Sequence, residues 1–169
     1  TNASPSIVTS GVLTLNSNIT VTNDNLGLTP TIGPASTGGT LDLGGATRTI
    51  TTNGLSPNSL NIYAPITGTG ATNQILKNGT GGLLLSAAST FGAIGSTGVT
   101  LSAGSILLGT DSTPNNVGGT ITSGPLGLGT LVIANGTKLM AVNGNRTVLN
   151  AITASGNLTM GISPNNLTL

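Results

Sequence analysis

The sequence predicts an all-β protein, a β-solenoid of about seven coils, and three observations support this prediction. A short pattern recurs along the chain: glycine, any residue, leucine or isoleucine, any residue, and an aliphatic residue. Glycine supplies 27 of the 169 residues and charged side chains only 4%, so neutral segments alternate with tight turns. No segment carries the apolar stripe of period 3.6 that marks an amphipathic helix.

Seven segments carry this pattern or come close to it. Each is predicted to be a strand, because aliphatic residues at i and i+2 lie on one face of a pleated ribbon. In chain order the segments span residues 11–15, 39–43, 59–62, 81–85, 104–108, 129–133 and 156–160. Their first aliphatic residues lie 28, 19, 23, 23, 25 and 27 residues apart, which predicts irregular coils of about 24 residues. The coils account for the whole chain as a single domain, residues 1–169.

Further short strands are predicted between these segments, where aliphatic residues alternate with threonine. They lie at residues 19–21, 49–51, 99–101 and 121–122. Corners rich in glycine, asparagine and serine separate them. Glycine and β-branched threonine also lower the helix propensity throughout the chain.

An antiparallel sandwich and a solenoid could both bury these apolar faces, and the repeat favours the solenoid. Coils that present the same inward aliphatic pair stack like on like at a spacing of about 4.8 Å. The scarcity of charge agrees with this arrangement, because a charged side chain in a stacked coil is either buried at a cost or set beside a like charge. Threonine, asparagine and serine can instead hydrogen-bond along the stack.

The composition excludes several classes of function. Without histidine or cysteine the chain has no imidazole base, thiolate nucleophile, zinc cluster or disulfide. Four cations over 169 residues cannot offset a run of phosphates, so no nucleic-acid partner is expected. No apolar run approaches the length of a membrane-spanning helix, so no transmembrane segment is expected in this chain.

Residues 76–86 carry a resemblance to a known bacterial repeat. They read Leu-Lys-Asn-Gly-Thr-Gly-Gly-Leu-Leu-Leu-Ser, and Ser-Thr-Phe-Gly follows at 89–92. This order resembles the autotransporter-associated β-strand repeat, whose motif reads approximately L-x-K-x-G-x-G-x-L-x-L-S-G-x-N-T-Y-x-G. With similar flanks at 41–50 and 129–147, the resemblance covers residues 38–161. The sequence departs from the motif at Ala87, Ser89, Phe91 and Ala93.

The resemblance implies a right-handed parallel β-helix within a large exported bacterial surface protein, often the passenger of a type V secretion system. It implies no catalytic residues, because the family motif contains none. The chain is therefore expected to be secreted or displayed at the cell surface.

Three aspartates are the only candidates for acid–base chemistry. Asp24, Asp42 and Asp111 are spaced 18 and 69 residues apart, and we expect turn or solvated roles for them. A polysaccharide-active β-helix enzyme is an alternative that would rely on Asp42 or Asp111. Neither residues 38–42, which faintly resemble a calcium-binding nonapeptide, nor residues 111–116 supply the carboxylates of a calcium site, so no metal or cofactor is expected.

Threonine pairs of the form Thr-x-Thr make ice binding a further alternative. They begin at Thr20, Thr49, Thr67 and Thr120, with spacings of 29, 18 and 53 residues. An ice-binding face needs one threonine ladder on every coil, and these spacings do not provide it.

The functional prediction depends on the absence of charged residues near both ends of the chain. No charged residue precedes Asp24 or follows Arg146, whereas soluble repeat proteins close their termini with polar or charged caps. We therefore expect a non-enzymatic extracellular structural protein that self-associates end to end into a filament or surface layer, with surface glycans as further partners. The expected contact residues are aliphatic and lie near the two ends: Val12, Leu13, Leu15, Leu167 and Leu169.

A fragment of an autotransporter adhesin passenger is the alternative. It predicts that the natural precursor continues with more coils of the same kind. Uncapped ends are expected under both hypotheses, so the ends do not separate them.

Overall fold

The computed structural model describes residues 4–8, 10–33, 38–160 and 165–169, and within these ranges the chain is all-β with no helix. Short strands follow one another along the chain. They are β1 (Ser6–Ile7), β2 (Val12–Thr14), β3 (Ile19–Thr22), β4 (Thr31–Ile32), β5 (Thr40–Asp42), β6 (Arg48–Asn53), β7 (Leu60–Ile62), β8 (Ile66–Thr67), β9 (Ile75–Asn78), β10 (Gly82–Leu85), β11 (Thr97–Leu101), β12 (Ser105–Leu108), β13 (Thr130–Ile133), β14 (Lys138–Ala141), β15 (Arg146–Thr147), β16 (Ile152–Ala154), β17 (Thr159–Met160) and β18 (Leu167–Thr168).

The strands form four sheets, and every ladder between named strands is parallel. The largest sheet has seven strands in the order β1-β4-β7-β10-β12-β14-β17, and the next has six in the order β3-β6-β9-β11-β13-β16. Two smaller sheets are β2-β5-β8 and β15-β18. Along the chain, β1, β2 and β3 fall in three different sheets, and β4, β5 and β6 return to the same three in the same order.

Paired strands in the seven-stranded sheet are joined by long connections and not by hairpins. Paired residues lie from 21 positions apart (Lys138 and Thr159) to 33 apart (Leu107 and Met140), with 25 for Ser6 and Thr31. Connections of this length are what parallel pairing requires.

The register stacks aliphatic residues directly on one another. Leu60 pairs with Leu83, Leu83 with Ile106, and Ile106 with Leu139. We call such a line of paired, core-facing residues a core column. Like-on-like stacking is what the sequence repeat predicts.

One buried apolar cluster lies against three of the sheets. Leu83 of β10, Leu41 of β5 and Leu131 of β13 belong to it, and each is fully buried. Phe91, the single phenylalanine, joins the same cluster. Because burial of one such side chain contributes about 1.5–3 kcal/mol, this shared core is the main source of stability.

Glycine is required where one corner of the chain passes close to another. Gly54 has φ of 107° and Gly79 has φ of 77°, a region that L-residues rarely adopt. A Cβ atom at Gly54 would clash with the carbonyl of Asn23, and one at Gly79 with the carbonyl of Thr52. Both corners therefore need glycine for conformation and for space.

The all-β prediction is confirmed, and each of the seven predicted segments contains a strand. The segments do not belong to one sheet: 11–15 and 39–43 provide β2 and β5, 129–133 provides β13, and the other four provide strands of the seven-stranded sheet. The same aliphatic pattern occurs in three of the four sheets, so its spacing in sequence mixes steps between different sheets.

Three of the four additional predicted strands are also confirmed, in β3, β6 and β11. The strand predicted at 121–122 is wrong. There the chain makes a local excursion in which Thr113 and Ser123 form an antiparallel bridge and the Thr122 amide donates to the Thr113 carbonyl. Local antiparallel pairing replaces the parallel ladder in this segment.

Candidate functional site

The core columns of the seven-stranded sheet end in exposed side chains. Leu83 and Ile106 in the middle of one column are fully buried, but Met160, which pairs with Leu139 at its end, is 43% exposed. Another column begins at Ile7, which is 52% exposed although it pairs with the buried Ile32. Among the residues that the structure describes, no further strand covers these side chains, so in this part of the chain the apolar interior is open at both ends of the sheet.

At one end, β1, β2 and β3 are the outermost strands of their three sheets. Their core-facing residues form a surface that we call the first end face: Ile7, Leu13, Leu15, Ile19 and Val21. The last four are half-buried and pack against the core from one side only. A cavity of about 290 Å³ opens here, lined in part by Ile7, Ile19 and Val21.

At the other end, β16, β17 and β18 are the outermost strands. The second end face consists of Ile152, Leu158, Met160, Leu167 and Leu169. A cavity of about 520 Å³ opens beside Leu139, Met160 and Leu167. Each end thus combines outermost strands, which present backbone groups for further pairing, with an aliphatic surface.

Four of the five contact residues predicted from the sequence lie on these faces. Leu13 and Leu15 belong to the first and Leu167 and Leu169 to the second. Val12 is also on β2, but it is 67% exposed and points away from the core, because its neighbour Leu13 faces inward. Their role in self-association stays a prediction.

Sequence reasoning missed the other members of the two faces. They are Ile7, Ile19, Val21, Ile152, Leu158 and Met160. Each of these residues lies on the outermost strand of a sheet or directly beside such a strand. Which strands are outermost depends on the pairing register, and the sequence alone does not reveal this register.

Asp42 and Asp111, the two carboxylates on which the enzyme alternative relies, both bind neighbouring groups of the chain. Asp42 accepts hydrogen bonds from the Gly44 amide at 2.7 Å and from the Thr67 hydroxyl at 3.1 Å. Asp111 accepts from the Thr147 amide at 2.8 Å and lies 3.9 Å from the Arg146 guanidinium. Both carboxylates therefore stabilise the contact between neighbouring strands. In the part of the chain that the structure describes, no three histidine, cysteine, aspartate or glutamate side chains lie close enough together to hold a metal ion.

Lys77 is a cation within the core. It is fully buried, and its ammonium group donates to the carbonyls of Asn78 at 2.7 Å, Gly79 at 3.0 Å and Ala103 at 3.1 Å. Desolvation by burial lowers the pKa of Lys77 from 10.5 to about 8. This burial was not predictable from the sequence, because a lysine between two strand residues usually faces solvent.

The outer threonines do not form one continuous ladder. Thr20 pairs with Thr51, but Thr49 pairs with Leu76 and Thr100 with Val132. An ice-matching face of repeated threonine pairs is therefore interrupted on the six-stranded sheet.

A groove of about 550 Å³ lies on the outer side of the molecule, between Leu55 and Pro57 on one wall and Leu107 and Met140 on the other. Lys138 also lines it, together with several glycines. Neither aromatic residue, Tyr63 or Phe91, is among its lining residues, although sugars commonly stack on aromatic rings. The expectation of glycan partners stays a prediction.

No family model, curated protein or solved structure matches this chain. Among the residues that the structure describes, no helix has the length and hydropathy needed to cross a bilayer.

Proposed function

We propose that this chain is a non-enzymatic structural element of an exported bacterial surface protein, and that copies join end to end into a filament or surface layer. The observation that carries the proposal is the pair of open end faces, each an aliphatic surface framed by outermost parallel strands. Such edges are templates for pairing with a further strand.

The architecture that we propose is a right-handed parallel β-helix of about seven coils, as the resemblance to the autotransporter-associated repeat implies. Its support is the order of the strands: β1–β9 visit three sheets in turn, β10–β14 alternate between the two largest sheets, and the strands pair in parallel with strands of the next repeat. Parallel crossover connections are right-handed in about 98% of cases.

Because the strands stack in parallel, the two end faces are not equivalent. Because every ladder between named strands is parallel, a further copy continues the sheets only when its second end face meets the first end face of its neighbour. This head-to-tail contact is heterologous, and such contacts generate open filaments when the rotation does not close a ring.

The composition of the faces supports contact between copies. All ten end-face residues are aliphatic or methionine, so a junction buries no charge from them. Lysine on an exposed edge is a common device against such pairing, and the two faces contain none.

The test compares assembly of the purified chain with that of single-face variants. Ile7→Lys places a charge on the first end face and Leu169→Lys on the second, at positions that are exposed in the single chain. We expect the unmodified chain to give filaments in negative-stain images and rising mass in sedimentation, and each variant to stay at the mass of one chain. Val117→Lys, which changes a residue that is 75% exposed and lies on neither face, is the matched control and should still assemble.

A mixture of the two variants tests the direction of the contact. Each blocked chain keeps one intact face, so the Ile7→Lys and Leu169→Lys chains together should form dimers and nothing longer. Dimers in either variant alone would indicate contact between like faces and contradict the head-to-tail arrangement. If both variants assembled at the rate of the unmodified chain, the end faces would not be the surfaces through which copies join.

A segment of an autotransporter adhesin passenger is the second candidate, favoured by the resemblance within residues 76–92. In that case coils of the same polypeptide cover the two end faces. The full-length precursor sequence decides this: further repeats on both sides of the chain support the passenger.

A further inference from the structure

Asparagine followed by glycine is the pair at which asparagine most readily loses its side-chain amide, because glycine leaves its own nitrogen accessible to the asparagine side chain. The chain contains four such pairs: Asn53–Gly54, Asn78–Gly79, Asn135–Gly136 and Asn143–Gly144. The structure gives these four pairs different surroundings.

At Asn78 the side chain is already turned toward its own glycine. The Gly79 amide donates to Asn78 Oδ1 at 2.9 Å, so the carbonyl carbon Cγ lies beside the nitrogen that can attack it. Strand β9 ends at Asn78, and the Asn78 side chain is exposed to water.

Lys77 adds a positive charge at the same peptide bond. Its ammonium group donates to the Asn78 carbonyl at 2.7 Å, and this carbonyl belongs to the peptide whose nitrogen is that of Gly79. The Gly79 nitrogen must lose its proton before it attacks. A cation on the conjugated carbonyl oxygen stabilises the anion that forms.

The other pairs lack this combination. Asn135 Oδ1 accepts from the Asn157 amide on the neighbouring repeat, so its side chain is held away from Gly136. Asn143 has a cation on its carbonyl, from Arg146 Nη2 at 2.6 Å, but no bond from the Gly144 amide to its side chain is among those described. At Asn53 the carbonyl accepts from the Asn23 amide at 3.0 Å, and neither a cation on this carbonyl nor a bond from the Gly54 amide to the Asn53 side chain is among the described contacts. Of the four pairs as the structure describes them, Asn78 alone unites both features.

We propose that Asn78 is a deamidation site built into this corner of the fold. The Gly79 nitrogen forms a bond to Asn78 Cγ, the bond from Cγ to Nδ2 breaks, and the nitrogen leaves as ammonia with the Gly79 proton. One water molecule then opens the cyclic imide at either carbonyl and gives aspartate or isoaspartate. The reaction consumes water, releases ammonia and needs no oxidant or reductant.

The product changes a crowded corner. A new carboxylate stands next to Lys77, and isoaspartate adds one carbon to the main chain just before Gly79, which has no room for a Cβ beside the Thr52 carbonyl. The modification thus marks aged molecules at the middle of the chain.

The test follows all four pairs within the same molecule. Folded chain and chain unfolded in urea are incubated at neutral pH, and peptide mass mapping measures the conversion of each asparagine. Because glycine follows all four, their rates in urea should be similar. We expect the ratio of folded to unfolded rate to be highest at Asn78 and several-fold lower at the other pairs. A higher ratio at any other pair overturns the proposal.

The Lys77→Met variant tests the contribution of the cation. It keeps the length of the side chain and removes the donor, so the Asn78 rate should fall several-fold while the other three rates stay the same. Arg48→Met, which removes a cation from a different corner, is the control and should leave Asn78 unchanged. An unchanged Asn78 rate in folded Lys77→Met overturns the proposal, and if that variant does not fold, the rate ratios of the unmodified chain decide.

Discussion

Lys77 stands in a core column that its neighbours fill with aliphatic side chains. It pairs with Ile50 on one side and with Leu101 on the other. Three backbone carbonyls replace part of the water that its ammonium group loses, but no carboxylate contacts it among the described residues. The desolvation of the ammonium group is therefore only partly compensated, and this lowers the pKa of Lys77.

This burial makes stability depend on pH. The pKa of Lys77 is about 8 in the folded protein, against 10.5 for an unperturbed lysine, so between these values the unfolded chain binds more protons. The free energy of unfolding should rise with pH across this window, by about 3 kcal/mol in total. Urea unfolding at a series of pH values measures it.

The Lys77→Met variant is the reference for that experiment, because it retains every other titrating group. Its curve should lack the rise between pH 8 and 10.5 that Lys77 produces. Equal pH dependence in the two proteins would show that Lys77 keeps the same pKa in both states.

Two arginines show how far single residues could be understood from the sequence. Arg48 and Arg146 both stand before a threonine and an aliphatic residue, and both turn back to bind the preceding corner: Arg48 Nε donates to the Leu43 carbonyl and Arg146 Nε to the Val142 carbonyl. The sequence likeness of the two segments therefore accompanies a shared contact with the preceding corner. It could not reveal that the two corners lead into different sheets, because that depends on pairing with distant residues.

At the scale of the element, strand positions were predictable where two aliphatic residues alternate with others. Strands of two residues, such as β1 and β4, contain too few positions for any period to appear. Their existence depends on neighbours: Ser6–Ile7 pairs with Thr31–Ile32, which pairs with β7. Long-range pairing, and not local pattern, creates them.

Strand β10 offers a direct test of the inward assignment. Leu83 lies between Leu60 and Ile106 and is fully buried, so Leu83→Asp would place an unpaired charge in the core. This substitution should cost several kcal/mol and prevent folding. Ile94→Asp, at a residue that is 61% exposed, is the matched control and should keep the native melting point. A native far-UV circular dichroism spectrum and melting point for Leu83→Asp would contradict the core assignment.

For the molecule as a whole, the sequence predicted an all-β chain and four of the end-face residues. It could not provide the complete faces, because membership in a face requires the register of all the outermost strands. The composition bears on the proposed contact between copies, because a chain with 4% charged residues has few groups that could oppose such contact.

Hydrogen exchange tests the proposed assembly across the whole chain. In single chains the amides of β1–β3 and β16–β18 should exchange faster than those of β9–β12, because the outermost strands are covered on one side only. On assembly, protection should increase in those outermost strands and stay constant in the centre. Gain of protection at the groove beside Leu107 and Met140, with none at the ends, would point to side-by-side contact instead.

The excursion between β12 and β13 shows that this architecture tolerates changes in length. Leu84 and Leu107 pair across 23 positions and Leu107 and Met140 across 33, yet the same ladder continues through both steps. Ten extra residues are absorbed without altering the register of this ladder, whereas the ladder between β11 and β13, which spans the same excursion, shifts register between Thr97 and Val99. New loops, epitopes or recognition sequences can therefore evolve, or be inserted, at this position while the stacked core is kept.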